Sequence, residues 1–263
     1  MQPVKIVAGM SARGRITLCS DTFIATARLD KDGDISCETE RLAPVTRFFL
    51  KNKRLPIPQL VRIVLLFADG IGKKGLLFSL LFLGSCVLVG MVTGLWLRAN
   101  YPPPSPAAIS VRAPSDQFLW VINVIIYIGG LLYINRRIAT WHAAEHMAIA
   151  AYEETGSTDI QAITRASPVH DKCGSRFFLP LVAGSIIVEL IAASFGISRT
   201  IIFLMILECM LWVDKLKGLD KLPGASHASR LLQRFVVTRQ PGEREVRIAQ
   251  RALQTLIAAH SAS

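Results

Sequence analysis

Two histidines and a glutamate in the middle of the chain have the types and the spacing of a metal site. His142, Glu145 and His146 form the motif H-x-x-E-H. Histidines four residues apart share one face of an α-helix, so both imidazoles can reach one ion. The spacing is the reverse of the HExxH motif of metalloproteases, in which the glutamate activates a metal-bound water. We predict His142 and His146 as metal ligands and Glu145 as the catalytic general base. The alternative is a polar helix face without a ligand.

A second pair of donors lies further along the chain. His170 and Cys173 are separated by two residues, and imidazole and thiolate are ligands that zinc prefers. We therefore predict a site for zinc or another divalent transition metal, made by His142, His146, His170 and Cys173. Four protein ligands indicate a structural site, whereas three leave a position for water and a role for Glu145. Satisfied polar residues around a core thiol are the alternative.

Strongly apolar segments surround these motifs. Hydrophobic residues make up 51% of the 263 residues, and the mean hydropathy is +0.41, both high for a globular domain. A helix that spans a bilayer needs about 20 apolar residues. Three segments, 75–97, 118–135 and 177–195, are long enough, and a fourth, 200–213, is short and must be tilted, lie in a locally thinned bilayer or be buried in protein. The predicted fold class is an α-helical integral membrane protein, with about four transmembrane helices and a small β-containing N-terminal cytoplasmic region.

The distribution of basic residues predicts a topology for these spans. The chain has 30 Lys and Arg against 19 Asp and Glu, a net charge of +11. All but three of the basic residues fall in 1–74, 136–176 and 214–263. Because Lys and Arg are enriched on the cytoplasmic side, we predict a multi-pass protein of the bacterial cytoplasmic membrane with both termini cytoplasmic. The expected partners are the lipid bilayer, through its anionic cytoplasmic leaflet, and a membrane protein. No nucleic acid is expected, since no nucleic-acid motif is present.

The same patterns divide the chain into four regions. Residues 1–56 predict a cytoplasmic β-rich region with a basic linker, because β-branched residues alternate there and a turn follows them. Residues 57–74 predict an interfacial helix. Residues 75–213 predict a membrane domain whose cytoplasmic loop, 136–176, carries both donor motifs. Residues 214–263 predict a cytoplasmic tail that ends in an amphipathic helix, with apolar residues opposite arginines.

Several segments, in order along the chain, carry a family resemblance. The motif at 142–146 is followed by Tyr152 and Glu153, residues 170–177 read HDKCGSRF, and residues 232–241 read LQRFVVTRQP. They resemble the HGAEH motif with its tyrosine–glutamate pair, the HPRCGTSF segment and the LQRLTTREP tail of the YqhQ-like family of bacterial membrane proteins. The tail of this chain has one residue more. The family's opening, IEGVMMRG, is matched in part by VAGMSARG at 7–14.

The chain also departs from the family's pattern. Ala8 stands where the family has a glutamate, so no role for that carboxylate is carried over, and Ala143 replaces the glycine of HGAEH. Glu189 and Glu208 are both candidates for the glutamate of the family's intramembrane segment. Members of the family are labelled predicted metal-dependent enzymes without a settled activity. The resemblance therefore implies a metal and no particular substrate.

These patterns together predict a metal-binding membrane protein, with metal-dependent and peptidase-like hydrolase chemistry at the cytoplasmic membrane face. One alternative is a non-enzymatic membrane assembly or interaction factor whose metal site is structural. A transporter is another alternative, in which Glu189 and Glu208 would form an ion relay. The sequence lacks the repeated broken helices that are typical of such transporters.

Overall fold

The computed structural model describes the residues 4–52, 58–70, 114–171, 173–177, 180, 184, 187, 199–218 and 224–263. Over most of 114–135 the backbone is described and the side chains are not. The chain divides into two units, one formed by Met1–Gly70 with Asn135–Ser263 and the other by Ile71–Ile134. The described residues of the second unit, 114–134, are helical. All contacts discussed below lie within the first unit.

The N-terminal residues form an antiparallel four-stranded sheet in the order β1-β2-β3-β4. The strands are β1 (Ala8–Ala12), β2 (Arg15–Cys19), β3 (Phe23–Leu29) and β4 (Ile35–Arg41). The register pairs Leu18 of β2 with Ala25 of β3. Gly14, at φ +76°, lies in the β1–β2 turn, and Gly33, at φ +92°, lies in the β3–β4 turn. Glycine reaches positive φ without a steric penalty, so these two positions set where the hairpins reverse.

The two faces of the sheet bury different sets of side chains. Successive residues of a strand point to opposite faces, and β2 and β3 are apolar on both. Leu18 and Ala25 contribute to the main hydrophobic core. Cys19 and Ile24 contribute to a smaller cluster with Leu42 on the opposite face. The two central strands, β2 and β3, are therefore covered on both sides, whereas β4 is largely exposed.

Three helices build the main core on one face of the sheet. They are α3 (Pro114–Thr155), α4 (Ile160–Arg165) and α7 (Glu243–Ser261). The largest contributions come from Met147 of α3, Ile163 of α4, and Leu253 and Leu256 of α7, all at most 1% exposed. Burying an aliphatic side chain of this size stabilises the fold by roughly 1.5–3 kcal/mol. The C-terminal amphipathic helix thus packs its apolar stripe against the N-terminal sheet.

The other elements connect through polar contacts and through the smaller apolar cluster, against which Leu50 and Leu66 pack. These elements are α1 (Pro44–Lys51), α2 at 59–70, a 3₁₀ turn (Gly174–Phe177), α5 (Arg199–Lys217), α6 (Ala225–Leu232) and a π-helical turn (Gln233–Val237). The carboxylate of Glu208 on α5 accepts the main-chain N–H groups of Gln59 and Leu60 at 2.6 and 3.0 Å. A negative charge at the N-terminus of α2 is favourable, because the first N–H groups of a helix have no partner within it.

The predicted fold class requires correction. In the part of the chain that the structure describes, no helix is long and apolar enough to cross a membrane. The segment 75–97 lies outside the described residues, as do most of 177–195 and most side chains of 118–135. The segment 200–213 lies in α5, whose 19 residues include both basic and acidic side chains. The observed architecture is an antiparallel sheet with helices packed on it.

The predicted location depended on the same four spans and is corrected with them. A multi-pass protein of the bacterial cytoplasmic membrane needs helices that span a bilayer, and the described residues contain none. The prediction was wrong because it took four apolar runs to be spanning helices, and no described helix that contains part of these runs is long and apolar enough. The apolar residues of α3 and α7 that bury against the sheet and against each other lie outside the four runs.

Candidate metal centre

The second half of α3 brings two histidines to one helix face. Residues 143–151 of this helix are all buried. His142 lies just before this buried run, and His146 lies within it, one helical turn further on. Their ring centroids are 4.2 Å apart. His146 is 2% exposed, and the side chain of His142 is 21% exposed. The histidine spacing therefore places both imidazoles together, as expected for positions i and i+4.

The loop after α4 adds a thiol to these imidazoles. Cys173 is buried, and its Sγ lies 3.4 Å from Nε2 of His142. One donor atom each from His142, His146 and Cys173 lie within 4.8 Å of one another. Ligand atoms of a tetrahedral zinc site lie roughly 3.5 Å apart, so small side-chain shifts would complete the geometry. The prediction of a donor group compatible with a metal is confirmed for these three residues.

Hydrogen bonds fix the orientation of both imidazoles. Nδ1 of His146 donates to the carbonyl oxygen of Pro168 at 2.8 Å, which leaves Nε2 as the nitrogen that can bind an ion. Nδ1 of His142 lies 3.1 Å from Oγ of Ser11 and 3.4 Å from Oε2 of Glu145. A carboxylate only accepts hydrogen bonds, so this Nδ1 carries a proton and Nε2 faces Cys173. Metal-binding histidines are oriented in this way by carbonyl and carboxylate groups.

The electrostatics of the centre favour a thiolate beside an imidazolium. Burial alone would raise the pKa of Cys173, but hydrogen bonds from His142 and His146 and their positive charges lower that pKa to about 5. Burial would lower the pKa of His142, but its hydrogen bonds to Cys173 and Glu145 and their negative charges raise that pKa to about 10. The protein thus stabilises the sulfur in the charge state that binds metals.

Glu145 is buried between α3 and the first strand. Its side chain is 4% exposed. Gly9 of β1 lies directly against it, since a Cβ at Gly9 would overlap Oε1 of Glu145. The glycine is therefore required here by the close approach of the carboxylate. The contact of Glu145 with Nδ1 of His142 gives it an orienting role, and its predicted role as general base stays a prediction.

His170, the fourth predicted ligand, lies beside the centre and is not part of the three-donor group. Its ring centroid is 5.8 Å from that of His146. Its Nε2 lies 3.4 Å from Oε2 of Glu153, the glutamate of the Tyr152–Glu153 pair. Its main-chain N–H donates to Oε1 of Gln233 at 2.9 Å. The structure therefore brings His142, His146 and Cys173 together, with His170 adjacent.

Sequence spacing did not indicate several residues that support the centre. Ser11, Gly9, the Pro168 carbonyl and Gln233 come from three segments that are distant along the chain. Ser11 and Gly9 lie in the partial match to the family's opening, and Gln233 lies in its tail segment. The order of those matches was the available signal. Of the two acidic candidates for the intramembrane segment, Glu208 caps α2 and Glu189 lies outside the described residues.

Comparison with known proteins assigns the family. The family model described as "Protein of unknown function (DUF1385)" matches residues 13–259. The chain belongs to this family. The YqhQ-like family carries the same domain, so the resemblance found from the motifs is supported at the level of the domain. No curated protein and no solved structure matches the chain. The matched range includes every residue of the centre except Gly9 and Ser11.

Proposed function

We propose that this member of the DUF1385 family is a zinc-dependent hydrolase in which His142, His146 and Cys173 hold the metal. The observation that carries the proposal is the convergence of two imidazoles and a thiol within 4.8 Å. Nitrogen and sulfur donors favour zinc and similar transition metals over Mg²⁺ and Ca²⁺, which prefer oxygen. The buried carbonyl and carboxylate partners of the two Nδ1 atoms add the support that metal-binding histidines usually have.

The three donors that the described residues bring together support catalysis over a purely structural site. Three protein ligands leave one tetrahedral position for water or substrate, which is the pattern of catalytic zinc. When bound, zinc would supply an activated water and a Lewis acid for a substrate carbonyl. The buried carboxylate of Glu145 is the proposed general base. The H-x-x-E-H spacing favours peptide-like amides as the substrate class.

A cysteine hydrolase is the second candidate, because one set of contacts fits it. Sγ of Cys173 lies 3.4 Å from Nε2 of His142, and Nδ1 of the same ring lies 3.4 Å from Oε2 of Glu145. A nucleophile, a base and an orienting carboxylate in this order make a catalytic triad. His146 favours the metal proposal over this one, since a triad does not need a second imidazole on the thiol.

Metal analysis of the purified protein together with a Glu145→Gln variant tests the proposal. We expect about one zinc ion per chain. The Glu145→Gln protein should keep its abundance and its zinc but fail to complement a deletion strain, because an amide cannot accept a proton from water. Exposed His227 provides the matched control, since His227→Ala should change neither zinc content nor complementation.

Each outcome that contradicts the proposal indicates a different function for the site. A Glu145→Gln protein that complements fully would rule out the general base. A zinc ion closed by four protein ligands, with His170 as the fourth, would indicate a non-enzymatic assembly or interaction factor. Complementation by a zinc-free protein that still requires Cys173 would favour the cysteine hydrolase.

A further inference from the structure

Gln233 connects the C-terminal segment to the loop that carries Cys173. Gln233 is 1% exposed, and its side-chain Oε1 accepts a hydrogen bond from the main-chain N–H of His170 at 2.9 Å. Its Nε2 donates to Oγ of Ser229 at 3.2 Å. The amide orientation is fixed by this arrangement, because a main-chain N–H can only donate. Both ends of the side chain are therefore used inside the protein.

The backbone around Gln233 has an unusual geometry with an identifiable cause. The main-chain N–H of Thr238 donates to the carbonyl of Gln233 at 2.9 Å, an i→i+5 bond, and the Thr238 hydroxyl donates to the same oxygen at 2.8 Å. This is the π-helical turn Gln233–Val237. It lies within the segment 232–241, which is one residue longer than the family's LQRLTTREP. One additional residue in a helical turn is accommodated by an i→i+5 bond, and such turns are frequent at functional sites.

The loop that Gln233 anchors serves the metal centre twice. Pro168 supplies the carbonyl that orients His146, and Cys173 supplies the thiol. The Cys173 N–H in turn donates to the carbonyl of His170, the residue that Gln233 holds. A second link to the C-terminal segment, between Asp171 and Arg230, is exposed and therefore weak. The buried Gln233 bond is the stronger of these two anchors.

We propose that Gln233, presented by the π-helical turn, is a positioning residue that holds the 168–173 loop so that Cys173 and His146 can share one metal ion. The inference rests on the proposed metal site and adds a dependence of that site on the C-terminal segment. Gln233 acts through the main chain of His170 and touches none of the three donors. Loss of its acceptor should weaken metal binding while the sheet and the helices of the main core stay folded.

Metal titration of matched variants tests this proposal. Gln233→Met keeps the side-chain length and removes the acceptor, Gln233→Glu keeps an acceptor for His170, and Ser229→Ala removes only the partner of Nε2. The probes are Zn²⁺ in competition with a chelator and Co²⁺, whose thiolate charge-transfer band reports the bond to Cys173. We expect Gln233→Met to bind about 10-fold more weakly, at the lower end of the effects of direct partners of metal ligands, because Gln233 acts through His170, and to lose intensity in that band. Gln233→Glu and Ser229→Ala should stay close to the parent.

Circular dichroism of the metal-free variants separates positioning from folding. If Gln233→Met does not fold, Thr238→Val replaces it, since it removes one of two bonds to the Gln233 carbonyl and should lower affinity by less. The proposal would be overturned if the folded Gln233→Met protein bound Zn²⁺ as tightly as the parent and kept the Co²⁺ band unchanged. The same result in Thr238→Val would overturn it where that variant is the substitute. A loss in a folded Gln233→Glu protein as large as in Gln233→Met would overturn it too. A parent protein that takes up neither ion would instead overturn the proposed function.

Discussion

The two halves of the metal centre are held by different means. His142 and His146 lie on a buried helix, where backbone hydrogen bonds and the main core fix their positions. Cys173 lies in a loop. Its N–H donates to the carbonyl of His170 in the same loop, and that loop is in turn held by Gln233 at His170 and by His146 at Pro168. The backbone positions of the helix half are therefore set whenever α3 folds, and partners such as Pro168 and Ser11 only orient its imidazoles. The loop half forms only when distant segments meet, and it is the more sensitive to change.

The largest expected effect comes from removing a donor from either half. His146→Ala and Cys173→Ala should each weaken zinc binding by more than about 100-fold, beyond the usual effect of an outer partner. The two variants should differ in the hydrogen exchange of the loop that carries Cys173. His146→Ala also removes the bond to the Pro168 carbonyl, so hydrogen exchange at 166–173 should rise, whereas Cys173→Ala leaves that bond and the Gln233 anchor in place. Equal exchange in both variants would contradict the proposed division of the site into two halves.

Thiol alkylation probes the loop half without mutation. In metal-free protein, iodoacetamide should modify Cys173, whose pKa is lowered to about 5; bound zinc should protect it because the lone pair is then shared with the metal. Cys37 is exposed and serves as an internal control that reacts in both states. Cys19 is buried, and burial raises its pKa to about 12, so it should stay unmodified. Mass spectrometry of the peptides measures all three. Modification of Cys173 at the same rate with and without zinc would argue against coordination.

Gly9→Ala tests the link between the sheet and the helix half. A methyl group at Gly9 would overlap the Glu145 carboxylate, so Glu145 must leave His142 or the strand must shift. Overpacking of this kind destabilises by about 1–3 kcal/mol, and the lost orientation of His142 should weaken zinc binding by about 10-fold. Gly129→Ala is the matched control, because a Cβ there meets nothing within 4 Å. Thermal unfolding and zinc competition give both quantities, and parent-like values for Gly9→Ala would remove this role of the glycine.

Ser11→Ala should have the smallest effect. It removes one of two groups near Nδ1 of His142, while Glu145 remains to accept the proton of that nitrogen. We expect a loss in zinc affinity smaller than that of Gly9→Ala and an unfolding temperature near that of the parent. If Ser11→Ala loses more affinity than Gly9→Ala, Ser11 and not Glu145 is the main orienting partner of His142.

The parts of the site that follow from local spacing could be predicted from the sequence. Helical periodicity placed His142 next to His146, and β-branched residues before a turn indicated strands near the N-terminus. The proximity of Cys173 was expected because both ends of its loop were placed at one membrane face. That reason is not supported, since the described residues contain no helix that could span a membrane. Contacts of the loop with His146, Glu153 and Gln233 hold it beside the histidines instead.

The contacts made by residues far apart in the chain could not be predicted. Gly9 and Ser11 lie two residues apart in a strand. Nothing in that spacing indicates that Ser11 will bond His142 or that Gly9 will face the buried Glu145. The role of Gln233 depends on an i→i+5 turn, and hydrophobic periodicity does not reveal where a helix takes up one residue more. The predicted partners, a lipid leaflet or a membrane protein without nucleic acid, are tested by none of these contacts.

X-ray absorption at the zinc edge of the purified, zinc-loaded protein tests the central claim most directly. The proposed centre predicts one sulfur at about 2.3 Å and two histidine nitrogens at about 2.0–2.1 Å, with a further light atom from water. The Cys173→Ala protein, loaded at high zinc, should lack the sulfur. Zinc without a sulfur neighbour in the parent protein, or a parent that holds no stoichiometric zinc, would contradict a centre formed by His142, His146 and Cys173.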